Sequence, residues 1–314
     1  MQKDKVIPYF VICGERRSGT TTLYNVLDQH PEVSMYKKRD FNFFIEPQLF
    51  SRHEIKDAEI DNWEEHASFS NYTNHFENLN GKVGVKNADL LWWKSSHSRL
   101  SKYVPNTKFI IILREPISRA ISQYVNELRK GRETNSFEKA ITRKPNDLNH
   151  WEKLHLQYKE RGCYIDSLTN FGHYISKENI KVVILEDLKT NWATVLKDIC
   201  NFLQIDESYI PDIKKGNANK EPYYRRKKFA TKGIFKKIFD IWERVTEALI
   251  VRLSNDKDIR QNLRYRLRFF YQESFRKQFT IDIKLEKELQ RYYKSYNTAL
   301  EDMLGRKIAY WNYD

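Results

Sequence analysis

Gly14-Glu15-Arg16-Arg17-Ser18-Gly19-Thr20-Thr21-Thr22 crowds two glycines, two arginines and four hydroxyl residues into one short stretch. The glycine spacing and the hydroxyl residues at its end are those of a Walker A phosphate loop. Thr20, however, stands where that motif carries the lysine that reaches the β- and γ-phosphates of a nucleoside triphosphate. A loop altered in this way is expected to hold a nucleotide with no γ-phosphate to transfer. A lone pair of glycines would fit an empty strand-to-helix turn better. Arg17, Ser18, Thr20, Thr21 and Thr22 add five donors to the same turn, and that density favours phosphate.

A second cluster runs from Arg114 to Ser122, Arg114-Glu115-Pro116-Ile117-Ser118-Arg119-Ala120-Ile121-Ser122. If a helix starts at Pro116, Ser122 lies two turns into it, and an arginine fork and a hydroxyl can close on one phosphate from two sides. Pairing of Arg114 with Glu115 or Glu186 is the competing use. Asp40 can pair with Lys38 or Arg39 on a solvated turn, Lys86 can be a strand-end lysine, and Glu186-Asp187 suit capping of the next helix better than acid-base work. Trp92-Trp93 suits the core better than a sugar-stacking platform. The eight histidines lack metal-ligand spacing, so no metal is expected.

The elements that position these residues alternate. Tyr9 to Cys13, Val33 to Tyr36, Lys82 to Lys86, Phe109 to Leu113 and Ile180 to Leu185 read as strands, and Phe109-Ile110-Ile111-Ile112-Leu113 is apolar without alternation, as a strand covered on both faces should be. Leu23, Val26 and Leu27 recur at helical spacing until His30-Pro31. Pro116 to Lys130 places Ile117, Ala120, Ile121, Tyr124 and Leu128 on one helical face. The expected fold is an α/β three-layer sandwich with a central, mostly parallel sheet of about five strands and a helical C-terminal elaboration. In such a sheet ligands sit beyond the carboxyl ends of the strands. The loop after the first strand, Asn87, Arg114 and Glu186-Asp187 all fall there.

At 314 residues with 40% apolar content the chain is a folded globule. One domain is expected over residues 1–314, with the α/β core in 1–212 and a basic, mostly helical part in 213–314. The formal charge of +13 is uneven. Lys and Arg number 30 against 29 Asp and Glu up to residue 212, and 25 against 13 thereafter. A basic surface of this kind draws an anionic cofactor, an acidic glycan, lipid head groups or nucleic acid, without choosing among them. Cys13, Cys163 and Cys200 are far apart and set in apolar segments, which reads as reduced core thiols and makes the cytoplasm the expected compartment. No secretory or membrane signal is read at the N-terminus. An apolar stripe in 232–253 (Ile234, Phe235, Ile238, Ile241, Trp242, Val245, Leu249) suits packing on the domain or in a dimer better than lying on a membrane.

Together the two anion segments resemble the sulfotransferases that use 3′-phosphoadenosine 5′-phosphosulfate, a P-loop-like family. Gly14 to Leu23 is similar to the family's G-x-x-[KR]-x-G-T-[ST]-x-L loop for the 5′-phosphosulfate. Arg114 to Ser122 is similar to its R-x-P-x-x-R-x-x-S segment for the 3′-phosphate. Lys38 to Phe44 resembles the K-E-x-H-F-F segment, Gly84-Val85-Lys86 the G-E-K segment, Val182 to Leu188 the V-L-x-Y-E-D-L strand end, Asn217 to Arg225 the late loop over the nucleotide, and Leu304-Gly305-Arg306 with Trp311 the C-terminus. The similarity is greatest to the carbohydrate and bacterial branch related to heparan sulfate sulfotransferases.

The resemblance implies Asp40 as base, with Arg17 and Lys86 beside the transferred group. It places Arg17, Ser18, Gly19, Thr20, Thr21, Thr22, Arg114, Ser122, Lys220 and Arg225 around the donor, leaves adenosine 3′,5′-bisphosphate as product, and points to a carbohydrate hydroxyl as acceptor. Asp40 stands for the family's glutamate, Asn42 for its histidine, Leu185 for its tyrosine, and Asn87-Ala88-Asp89 for a Ser/Thr-Pro stretch. The acceptor pocket is expected from loops at Pro47 to Asn80 and Glu133 to Gly162. A P-loop kinase or NTPase is disfavoured by Thr20 and by the lack of a clear magnesium aspartate. A nucleic-acid-binding protein is disfavoured by the absence of a recognition motif.

Overall fold

A computed structural model describes residues 7–37, 44, 69–130, 132–209, 281–311 and 313. Five strands, β1 (Phe10–Gly14), β2 (Val33–Met35), β3 (Lys82–Lys86), β4 (Lys108–Leu113) and β5 (Ile180–Ile184), form one sheet in the order β2-β3-β1-β4-β5. Every pairing is parallel, with Val11 opposite Val85 on one side and Phe109 on the other. Each strand lies within a residue of its expected position. The expected runs overshoot the ladder at Tyr9, Tyr36 and Leu185, and ladder pairing adds Gly14 to β1 and Lys108 to β4.

Helices cover both faces. Phe10, Ile12, Ile110, Ile112 and Val183 point to one side, against Leu23, Val26 and Leu27 of α1 (Thr20–Leu27). Val11, Cys13, Val85, Phe109 and Ile111 point to the other. They meet Tyr72 of α2 (Phe69–Asn74), Leu100 of α3 (Ser95–Tyr103) and Phe171 of a helix described below. Each fully buried Ile or Phe of this kind contributes about 1.5–3 kcal/mol. That burial holds an all-parallel sheet, which has no solvated face.

α4 (Pro116–Arg129) begins as its sequence requires. Pro116 occupies the first turn, and the Glu115 carboxylate accepts from Ile117 N at 2.9 Å and Ser118 N at 2.7 Å. The segment Glu133 to Gly162 is not the loop expected of it. It forms α5 (Phe137–Ile141) and α6 (His150–Leu156), the latter started by a reciprocal Asn149–Glu152 capping box. Glu133, buried between these helices, accepts from Arg143 at 3.0 Å and from the Tyr158 hydroxyl at 3.1 Å. These helices are too short to show a periodicity in the sequence. α7 (Tyr164–Tyr174), which carries Phe171, follows and leads to β5.

After β5 come α8 (Leu185–Thr190) and α9 (Trp192–Leu203), whose Leu196, Ile199 and Leu203 complete the layer with α1. The last helix, α10 (Ile283–Leu304), is capped by Asp282 and ends at Gly305 with φ 65°. Leu289 and Tyr293 pack on α4 and α5, and Leu300 and Trp311 pack on the α7 side of the sheet. Among the described residues no helix is long and apolar enough to cross a membrane. The 232–253 stripe lies outside the described residues.

Candidate functional site

The chain leaves β1 through Gly14 at φ 136°, where an added Cβ would stand 2.1 Å from the Ile112 carbonyl oxygen of β4. Only glycine permits that approach. The turn then places a non-glycine residue, Arg17, at φ 70°, a conformation that costs an L-residue about 1 kcal/mol. Gly19 at φ 99° enters α1. Thr20 is buried and Thr21 and Thr22 are half-buried in the first turn. The leading amides of α1 have no intrahelical acceptor, and the positive end of its dipole adds to them. The Ser18 hydroxyl is buried without a hydrogen-bond partner among the described residues. An orphaned donor inside an amide-rich loop suits a phosphate oxygen.

The two anion segments meet. Arg17 Nε donates to Ser122 Oγ at 3.1 Å, and Arg114 Nη1 donates to the Arg17 carbonyl at 3.2 Å. Ser122 and Arg114, both buried, come from α4 and the end of β4. The Tyr164 hydroxyl, donating to the Arg114 carbonyl at 2.6 Å, fixes that strand end from α7. Lys86 ends β3 and is buried beside the loop-bearing strand. Asp40, Lys220 and Arg225 lie outside the described residues.

Beneath the loop lies a charge network that the sequence did not reveal. Arg161, fully buried, donates through Nε to Glu15 Oε2 at 2.8 Å and through Nη2 to Asp89 Oδ1 at 2.7 Å. Arg16 grips the same Asp89 bidentately, at 2.6 and 2.7 Å. Burial alone would raise the Asp89 pKa, but Arg16 and Arg161 outweigh it and hold the carboxylate well below its usual range. Glu15 has one arginine bond and an Oε1 with no partner among the described residues. Burial therefore prevails over Arg161 and Arg119 and raises its pKa to about 7.

His155 Nδ1 faces Nη1 of Arg16 at 2.6 Å and of Arg132 at 3.0 Å. A nitrogen accepting from two guanidinium groups must be unprotonated. Burial, reinforced by those two charges, lowers the His155 pKa to about 2. The loop thus rests on a lattice of arginines to which the segment after β3 supplies Asp89, α6 supplies His155 and the turn before α7 supplies Arg161. Partners 72 and 146 residues away leave no local sequence signal.

Glu186 and Asp187 are structural, as expected, but do not cap α8, whose N-cap is Ile184. Glu186 instead accepts from Glu115 N and from Trp311 Nε1, both at 3.2 Å, and Asp187 pairs with Arg306 at 2.6 Å. Trp93 packs against the core as expected. Trp92 and Trp93 also line an open cleft of about 660 Å³, so they are not core residues alone. Among the described residues no group of His, Cys, Asp and Glu could hold a metal ion.

A parallel sheet with a glycine-bounded loop opening a helix, joined to an arginine-serine pair on the neighbouring strand and helix, defines an α/β protein with an anion-binding geometry at the carboxyl end of its sheet. Residues 8–209 match the model of the sulfotransferase family, and the chain belongs to that family. It is 24% identical over 212 residues to bifunctional heparan sulfate N-deacetylase/N-sulfotransferase 4 of Mus musculus, covering 65% of this chain and 23% of the relative. It is 22% identical to carbohydrate sulfotransferase 15 of the same species, covering 64% of this chain and 44% of the relative. The chain thus spans less than half the length of either. A sulfotransferase structure from Alicyclobacillus acidocaldarius shares the fold with a TM-score of 0.67 at 20% identity, covering 98% of this chain and 99% of that one.

Proposed function

We propose that the protein moves the sulfuryl group of 3′-phosphoadenosine 5′-phosphosulfate to a carbohydrate hydroxyl. The observation that carries the reading is the Arg17–Ser122 hydrogen bond, with Arg114 on the Arg17 carbonyl, which brings the two arginine- and hydroxyl-bearing segments side by side. A donor with a 5′-phosphosulfate and a separate 3′-phosphate uses both. A nucleoside triphosphate would lack the lysine that Thr20 replaces.

In this reading Ser18, Gly19, Thr20, Thr21 and Thr22 hold the 5′-phosphate, and Arg114 and Ser122 hold the 3′-phosphate. Lys220 and Arg225 contribute cationic side chains to nucleotide binding. The donor supplies a sulfur bonded to a phosphate leaving group. Asp40 accepts the proton of the acceptor hydroxyl as its oxygen bonds to sulfur and the sulfur–oxygen bond to phosphate breaks in line. Arg17 and Lys86 stabilise the charge that develops on the departing and sulfuryl oxygens. Carbohydrate as acceptor is supported by the relatives' names. A reducing, cytoplasmic setting is supported by Cys13, Cys163 and Cys200, all buried thiols with no disulfide.

Thermal shift with adenosine 3′,5′-bisphosphate against ATP-magnesium tests the donor. Stabilisation by the bisphosphate is expected, and stabilisation by ATP-magnesium alone would sink the reading. Labelled-sulfate transfer across a glycan panel then tests the acceptor, and Asp40→Ala is expected to abolish it. Near-normal turnover in that variant would remove Asp40 from the chemistry.

A further inference from the structure

The cleft beside Trp92 belongs to none of the groups placed around the donor. It opens between the segment after β3, the N-terminal turn of α7 and the middle of α10. Its walls carry four half-buried aromatic rings, Trp92, Trp93, Tyr292 and Tyr296. A volume of about 660 Å³ is that of a small-ligand site. Among its polar lining groups Lys94 and Lys153 balance Glu160 and Asp166, so the cleft has no surplus charge to recruit a phosphate or a polyanion.

The mixture is instead that of an amphipathic ligand. A pyranose ring offers apolar C–H faces to aromatic rings and a rim of hydroxyls to lysine, carboxylate and amide groups, here supplied by Gln157 as well. The rings are held in place before any ligand arrives. Lys159 Nζ stands 3.8 Å from the Tyr292 ring centroid, Tyr292 packs on Tyr296 at 5.5 Å, and the buried Arg161 guanidinium backs Trp92 at 5.4 Å. Such preorganisation lowers the entropic cost of binding.

Arg161 also sets the relation of the cleft to the donor loop. The same guanidinium bonds to Glu15 of the loop and to Asp89, and it is fully buried. A packed layer of side chains therefore separates the cleft from the loop, and a ring seated against Trp92 is not the ring that reacts. We propose that this cleft binds a neutral pyranose unit of the acceptor glycan remote from the hydroxyl that is sulfated. The acceptor role rests on the function proposed above, whereas sugar binding by the cleft does not.

Full-length protein labelled with 15N at its indoles is titrated, without donor, with the hexamer of N-acetylglucosamine, cellohexaose and maltohexaose, and separately with inorganic phosphate. The Trp92 resonance is assigned by its loss in Trp92→Phe. At least one hexasaccharide is expected to shift it saturably while phosphate does not. Trp92→Leu and, as a milder change on a half-buried residue, Tyr296→Ala are each expected to weaken that binding about tenfold. No shift with any hexasaccharide, a shift with phosphate alone, or an unchanged Kd in a folded Tyr296→Ala variant overturns the proposal. Adenosine 3′,5′-bisphosphate added to the same sample separates the two readings. Bisphosphate binding without sugar binding condemns the cleft alone, and sugar binding without bisphosphate binding condemns the donor assignment alone.

Discussion

Replacing Glu15 with glutamine probes the charge lattice under the loop after β1. The carboxyl is fully buried, and burial raises its pKa from 4.5 to about 7. A carboxyl raised in the folded state contributes stability that is complete below 4.5 and is lost as pH rises through 7. At ~1.4 kcal/mol per pH unit, the interval from 4.5 to 7 amounts to about 3 kcal/mol. His155 has the opposite slope. Its pKa falls from 6.5 to about 2, so its contribution is complete above 6.5 and is lost as pH falls toward 2. Between 4.5 and 6.5 the two slopes oppose each other, and the wild-type profile hides both. The glutamine variant still accepts from Arg161 and removes only the Glu15 slope. Its stability relative to wild type is therefore expected to rise by about 3 kcal/mol between about pH 4.5 and about pH 8. Urea unfolding at constant ionic strength across that range reads the difference. Parallel profiles, differing by a constant offset, would refute a Glu15 that is largely neutral below pH 7.

Gly14→Ala is expected to abolish folding, because its Cβ would meet the Ile112 carbonyl at 2.1 Å from a backbone at φ 136°, and circular dichroism of the purified chain reads that loss. Arg161→Met leaves Glu15 without its arginine and Asp89 with Arg16 alone, and it is expected to cost about 3–5 kcal/mol in urea unfolding. Arg17→Ala is expected to weaken adenosine 3′,5′-bisphosphate binding by about 10–100-fold in calorimetry, and Ser122→Ala by roughly fivefold. Equal binding in all three proteins would remove both side chains from the phosphate sites.

The sheet was readable because a parallel strand buried on both faces needs an unbroken apolar run, and Phe109 to Leu113 is one. The strand-to-helix loop after β1 was readable because its glycines, hydroxyls and arginines are contiguous. Arg161 was not, since its value comes from two carboxylates that only the fold brings to it. The helices between Glu133 and Gly162 were missed for another reason. The apolar face of α5, Phe137, Ala140 and Ile141, spans little more than one turn, and Glu133 with Arg143 and Tyr158 ties the segment together from outside the helices. Trp92 was assigned to the core because an aromatic pair after a strand looks the same in sequence whether a cleft or a helix covers it.

Among the described strands β1 is the first made and the middle of the sheet, and both of its neighbours, β3 and β4, are made later. During synthesis at about 5–20 residues per second, the apolar segment Phe-Val-Ile-Cys-Gly therefore has no strand to pair with for roughly 4–14 seconds, until β3 emerges. Adjacent-strand hairpins do not shorten that wait, because all pairings among the described strands are parallel. The geometry that sets the loop after β1 at the centre of the sheet leaves that apolar segment without its native partners throughout this interval of synthesis.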